Sequence, residues 1–235
     1  MSENGLKEKL EEIMKSFGEP FVSEADFQFS LSKKLQEELP KSEIILEYPV
    51  KIDDEDVSID ICVKIDNTYH FIELKYKTKY DKFISKRFEE ERDLKKQGGH
   101  NQGRYLFIKD IEKMEKIRKK YKGAINYCIF LTNDETYKEK GDDSIDKNFS
   151  LTNIIPANKE LCREIYKSKV GVDIKKYIVK LENSYECEWE DLKEIKTEKG
   201  TLFRYLLITI PPERKIDKLR FELNTQIFPL IPRKM

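Results

Sequence analysis

Apolar residues recur along this chain with two distinct periods. Leu6, Leu10, Ile13, Met14 and Phe17 fall at helical spacing, and Gly18 and Pro20 stop the pattern. Ser23 reads as the N-cap of a second helix over 24–39, with Phe27, Leu31, Leu35 and Leu39 on one face. Glu24, seven residues before Leu31, shares that inward face at the first turn. A strand is expected over 43–48. Two β-branched-rich runs follow, 57–65 and 68–76, separated by Asp66-Asn67. Asn and Asp tolerate the left-handed backbone of tight turns, so a two-residue turn between Ile65 and Thr68 is predicted. That register sets Asp60 opposite Glu73, with Cβ atoms ~5 Å apart. Lys75 is two residues on and faces the same way, while Ile59, Ile61, Val63, Ile72 and Leu74 point into a core.

Residues 77–97 are basic and polar, which predicts a mobile or partly helical stretch, punctuated by Gly98 and Gly99. A helix over 101–121 is expected to turn Tyr105, Ile108, Ile111 and Met114 or Glu115 inward. INYCIFLT at 125–132 reads as a buried strand. Residues 133–148 are charged and turn-rich. Beyond them, 176–188 alternates, and LFRYLLITI at 202–210 is strand-like until Pro211-Pro212. The order over 23–132 is helix, three strands, helix, strand: an α/β fold with a small mixed central sheet flanked by helices. The expected division is an N-terminal helix at 1–22, a core at 23–135, and a C-terminal β-rich extension at 136–235 of undisclosed role.

Composition narrows the classes. The 235 residues carry 45 basic and 45 acidic side chains, so net charge is zero. That excludes a globally basic nucleic-acid glue and leaves room for a local basic stripe. With 13 Phe and 12 Tyr there is enough apolar bulk for a packed core despite 38% charged residues. No apolar run approaches a membrane span, and MSENGLKEKLEE is no signal peptide. Cys62, Cys128, Cys162 and Cys187 form no CxxC pair, and with two His in the chain zinc is disfavoured. A reducing cytoplasm is the expected compartment, with no membrane partner.

Two carboxylates facing one another beside an ammonium are unfavourable as surface decoration and suit a divalent cation. The competing account is a solvated salt-bridge cluster. The spacing of Asp60, Glu73 and Lys75 would arise by chance roughly once in a chain this charged. What raises it is an apolar strand on each side and a turn of the right length.

The order of elements, with Asp60, Glu73-Leu74-Lys75 and the upstream Glu24, resembles the PD-(D/E)XK nuclease superfamily, the restriction-endonuclease-like fold. The resemblance covers about residues 23–132. Ile59 stands where the Pro of the name would be. The segments SEADFQFSL, LEYP, IDICV, IELKYKT, QGRYLFIKDIEKME and FRYLL together are similar to a prokaryotic branch of that superfamily. That likeness implies roles beyond packing for Arg104, Tyr105, Asp110 and Arg204.

Mg²⁺, with Mn²⁺ as substitute, prefers oxygen ligands and keeps several waters. Asp60 and Glu73 would supply two carboxylates and the Leu74 carbonyl a third ligand. Lys75 would hold or deprotonate the attacking water and neutralise the transition state. Glu24 would position a second metal or a water; its bland rival is a helix-dipole contact. KKQGGHNQGR at 95–104 mimics a P-loop, but Arg104 and Tyr105 stand where Lys and Ser/Thr are required. A helix entry is the better account, with Gln97, Asn101, Gln102 or Arg104 near a phosphate or the acids. The cluster Lys77, Lys79, Lys82, Lys86 and Arg87, interleaved with Tyr80 and Phe83, could track a phosphate backbone. The run from Lys113 to Lys122 reads as a solvent face. The leading expectation is a Mg²⁺-dependent endonuclease, with DNA ahead of RNA as partner and a homodimer compatible. Its rivals are an inactive nuclease-like module binding nucleic acid or protein, and another metal-dependent phosphodiester or tRNA-processing enzyme on the same scaffold.

Overall fold

The computed structural model describes residues 5–139, 149–157, 160–164 and 176–213. Helices α1 (Gly5–Lys15) and α2 (Glu24–Glu38) come first, then strands β1 (Glu43–Ile52), β2 (Glu55–Ile65) and β3 (Thr68–Lys77). A hairpin of β4 (Asp81–Ser85) and β5 (Glu90–Leu94) leads to α3 (His100–Lys120) and β6 (Ile125–Thr132). Short strands β7 (Ile154–Ile155), β8 (Glu160–Glu164), β9 (Lys176–Lys180) and β10 (Tyr185–Glu186) precede β11 (Trp189–Leu192) and β12 (Phe203–Ile210).

Six strands form one mixed sheet in the order β1-β2-β3-β6-β12-β11. Only the β3–β6 pair is parallel, because α3 crosses over between them. All eight residues of β6 are buried, as expected of a strand covered on both faces. Helix α3 covers one face, where Phe107, Ile111 and Met114 meet Phe71, Cys128 and Phe130. Helices α1 and α2 cover the other, where Leu10, Phe27 and Leu31 meet Ile61, Ile72, Leu74 and Ile129. Each such fully buried side chain contributes roughly 1.5–3 kcal/mol over leaving it in water.

Local chemistry explains the boundaries. Ser23 caps α2 by accepting the Asp26 N–H at 3.1 Å, and Asp26 answers by accepting from Val22 N at 3.0 Å. Asp53 and Asp54 both hold positive φ in the turn that joins β1 to β2, the signature of a type I′ hairpin. At the next turn Ile65 pairs with Thr68 and Asp66 takes φ +54, in the predicted register. At the start of α3, Gly103 is required by packing: a Cβ there would come within 2.6 Å of the Tyr137 hydroxyl.

Four expectations need correction. Residues 77–97 hold an ordered hairpin, with Asp81 opposite Leu94 and Phe83 opposite Arg92. Arg87 clamps that hairpin to α2: Nη1 and Nη2 each lie 2.9 Å from Asp26, and Nε 2.6 Å from Glu19. The C-terminal extension is no separate appendage where it is described. β12 pairs with β6 from Arg204 opposite Thr132 to Ile210 opposite Asn126, and β11 adds to its far side. Within that extension, 140–148, 158–159, 165–175 and 214–235 lie outside the described residues. Glu115 also joins the two parts, its carboxylate accepting from Glu182 N, Asn183 N, Asn183 Nδ2 and the Tyr185 hydroxyl. β1 runs four residues further than expected, to Ile52. Last, Ile59 packs on the α3 face while Ile61 packs on the α2 face. The strict alternation of β2 breaks at Asp60, beside Glu47 of β1, whose φ is +50.

Candidate active site

The break in alternation opens a fork. The β2–β3 ladder ends at Ile61 opposite Ile72. The expected pairing of Asp60 with Glu73 is not made; instead Asp60 Oδ2 accepts the Leu74 N–H at 2.6 Å. One further pleat along, Glu24 Oε2 accepts the Tyr76 N–H at 2.7 Å. Two carboxylates from different elements thus satisfy the edge of β3 that β2 has left. A strand residue directs its N–H and C=O to the same edge, so the Leu74 carbonyl faces that gap as well.

Glu47 and Gln28 hold the fork open. Gln28 Nε2 donates to the Asp60 carbonyl at 2.7 Å and to Glu47 Oε1 at 2.8 Å, and the Ser58 hydroxyl donates to Glu47 Oε2 at 2.8 Å. A glutamate at φ +50 costs on the order of 1 kcal/mol, and these two bonds to its carboxylate offset it.

Glu73 and Lys75 project to the α3 face, where helix α3 answers both. Lys113 Nζ lies 2.7 Å from Glu73 Oε1, and Asp110 Oδ2 lies 3.4 Å from Lys75 Nζ. Burial raises the Asp60 carboxyl from 3.8 to about 6; Glu24 adds to the rise, while the Leu74 N–H, Lys113 and Lys75 oppose it. Burial, then Asp60 and Asp110, push Glu73 up against the pull of Lys113. Burial also raises Asp110, although Lys75 and Lys113 pull it down. Burial would lower both lysines, but Asp110 and Glu24 outweigh it at Lys75, and Glu73 and Asp110 at Lys113, so both are held above the ordinary value.

Asp60, Glu73, Asp110 and Glu24 against Lys75 and Lys113 leave two negative charges when all are ionised. Among the described residues no three His, Cys, Asp or Glu side chains form a ready metal cage. The donors that are present, two carboxylates and a carbonyl, fit Mg²⁺, which is held by one or two carboxylates and keeps its waters. The charge excess fits a dication too.

The expected nucleic-acid contacts divide. Lys77 is half-buried at the end of β3, Lys79 is exposed beyond it, and Gln102 is exposed on the first turn of α3. Lys82 is paired with Glu91 at 2.6 Å, Lys86 Nζ reaches the Gly18 carbonyl at 3.4 Å, and Arg87 is spent on Asp26 and Glu19. Arg104 is buried and donates to the carbonyls of Thr136 and Glu139 at the short turn after β6. Arg204 is likewise buried against Glu135 and Asp191.

Sequence reasoning missed Gln28, Glu47 and Lys113, and reached Asp110 only through a resemblance. A signal for the α3 pair existed. Asp110 and Lys113 flank the buried stripe of Phe107, Ile111 and Met114 at helical spacing, on the edge of the inward face. No family model, curated protein or solved structure matches the chain, so the site stands on its own residues.

Proposed function

We propose that this protein is a Mg²⁺-dependent nuclease that hydrolyses phosphodiester bonds, with DNA as the expected substrate and Mn²⁺ able to replace Mg²⁺. The observation that carries the reading is the β2–β3 fork. It gathers Asp60, Glu73 and Lys75 with Glu24 from α2 and Asp110 and Lys113 from α3, four carboxyl groups against two ammoniums in a partly buried place. A salt-bridge network serving stability alone needs one carboxylate for each ammonium, and the fork holds four for two.

Asp60, Glu73 and the Leu74 carbonyl are the groups that would hold the metal. A dication bound there supplies charge stabilisation at the scissile phosphate and an acidified water. The chain's own residues do the rest. Glu24 fixes β3 beyond the fork through the Tyr76 N–H, so the strand edge stays in place when β2 departs. Lys75 is held charged by Asp110, which makes it a cation for phosphate oxygens rather than a base for the water. Exposed Lys79 and half-buried Lys77 continue a positive edge from the site along the end of β3, suited to a nucleic-acid backbone.

The test is cleavage of duplex, single-stranded and branched DNA and RNA with Mg²⁺, Mn²⁺ or chelator. Asp60→Asn and Glu73→Gln should abolish the activity while remaining folded. Binding without cleavage by the wild type across the whole panel would refute the nuclease and favour a nucleic-acid-binding module on the same fold.

A further inference from the structure

Helix α3 brings Asp110 and Lys113, one turn apart, against β3, and the two helix residues form crossed ion pairs with two strand residues. The Lys113 ammonium lies 2.7 Å from Glu73 Oε1, and the Glu73 side chain is 6% exposed. The same ammonium bears electrostatically on Asp60 and Asp110. One cation of the chain therefore faces three carboxylates of the fork at once.

Resting on the metal-dependent reading above, we propose that Lys113 is an internal competitor for the metal, which must swing away from Glu73 before a dication can be held between Glu73 and Asp60. Space and charge set the two cations against each other at Glu73. A Mg²⁺ or Mn²⁺ ion sits roughly 2.0–2.2 Å from a carboxylate oxygen. An ammonium at 2.7 Å from the same oxygen would leave two cations in near contact, with little water between them to screen their repulsion. The lysine has somewhere to go. Lys113 itself lines a cleft of about 190 Å³ between α3 and the β1–β2 hairpin, where Asp53, Glu55 and Glu112 stand beside Lys109 and Lys116. The four-carbon chain of a lysine reaches such a cleft by rotamer changes alone. Metal loading is thus an exchange of one held cation for another, and the displaced ammonium stays at the mouth of the site, where an incoming phosphate would meet it.

The experiment is Mn²⁺ binding to the full chain at fixed pH and salt, by calorimetry and by metal-dependent thermal shift, for wild type, Lys113→Met, Lys113→Gln and Lys113→Arg. Loss of the competing charge in the Met and Gln variants should tighten Mn²⁺ binding about ten- to a hundredfold. Arginine keeps the charge and forks onto the carboxylate, so Lys113→Arg should bind Mn²⁺ more weakly than wild type. A residue that merely packs would weaken binding in all three variants or leave it unchanged. Met and Gln variants that bind no tighter than wild type would overturn the proposal. Should wild type bind Mn²⁺, Asp60→Asn lose it and the Lys113 variants match wild type, the competition alone falls. If neither wild type nor any Lys113 variant responds to Mn²⁺, the metal-dependent function falls with it.

Discussion

Replacing Asp60 by Asn should stabilise the protein, and only at the pH where the aspartate is ionised. Asn keeps an oxygen to accept the Leu74 N–H and removes the charge. The folded carboxyl titrates at about 6 against 3.8 in the ordinary case, so the folded state binds the proton more tightly than the unfolded chain does. Between those values stability falls as pH rises, because the native form holds more protons than the unfolded form. Below about pH 4 both states are protonated and the penalty is absent. Above about pH 7 both are ionised and it is complete. At about 1.4 kcal/mol for each tenfold in proton affinity, the penalty amounts to about 3 kcal/mol. For a chain of this length that corresponds to a Tm gain of about 6–12 °C for Asp60→Asn at pH 8, shrinking toward zero at pH 4. The assay is thermal unfolding of both proteins from pH 4 to pH 8 in chelator. A variant less stable than wild type at pH 8, or a gain that does not depend on pH, would refute the reasoning and leave Asp60 as an ordinary structural carboxylate.

Three further outcomes follow from contacts described above. Lys75→Met should lower the rate of cleavage by about 10²-fold or more while leaving nucleic-acid affinity nearly unchanged, as read by cleavage and binding on the same substrate; retained activity would remove Lys75 from the mechanism. Gly103→Ala forces a methyl group against the Tyr137 ring and should cost about 1–3 kcal/mol in denaturant unfolding, with Tyr137→Phe in the same chain recovering part of it. Glu115→Gln leaves four donors facing a group with one acceptor oxygen, so it should destabilise by about 2–4 kcal/mol; an unchanged midpoint would mean that the 181–185 turn is held by packing alone.

The hairpin at the heart of the site was legible because three cues agreed there: apolar runs, a two-residue turn of the right chemistry, and acids inside the runs. β6 was legible because eight consecutive residues suit burial on both faces. The β4–β5 hairpin was not, because its inward positions include Asp81 and Ser85 while Ile84 points to solvent. Asp81 is tolerated inside because Lys82 N, Lys199 N and the Thr201 hydroxyl all donate to it, partners up to 120 residues away. A binary pattern of apolar and polar residues cannot announce such a contact. The partners of Arg104 were hidden for the same reason, since the carbonyls it donates to come from beyond β6. Lys113 hid in a run of lysines, where helical phase against Phe107 and Met114 was the sole distinguishing mark. The kink at Asp60 left no trace in composition, because it depends on Glu47 adopting a backbone conformation that its residue type disfavours.

The continuation of the sheet past β6 bears on how the chain folds and where it can be cut. β6 is made of residues suited to an interior, yet its far edge is covered by β12, more than 70 positions later. Until residue 210 is available, the strand beside the acidic fork lacks the seven residue partners that β12 supplies along an apolar ribbon. A fragment ending near residue 135 would carry every group proposed for catalysis and still be poorly soluble, because an open, flat, apolar edge recruits further strands from neighbouring copies. During synthesis the same exposure lasts for the time the ribosome needs to add about 75 residues, several seconds at ordinary elongation rates. β12 is therefore a lid on aggregation, and expression trials intended to isolate the half that carries the fork should retain it.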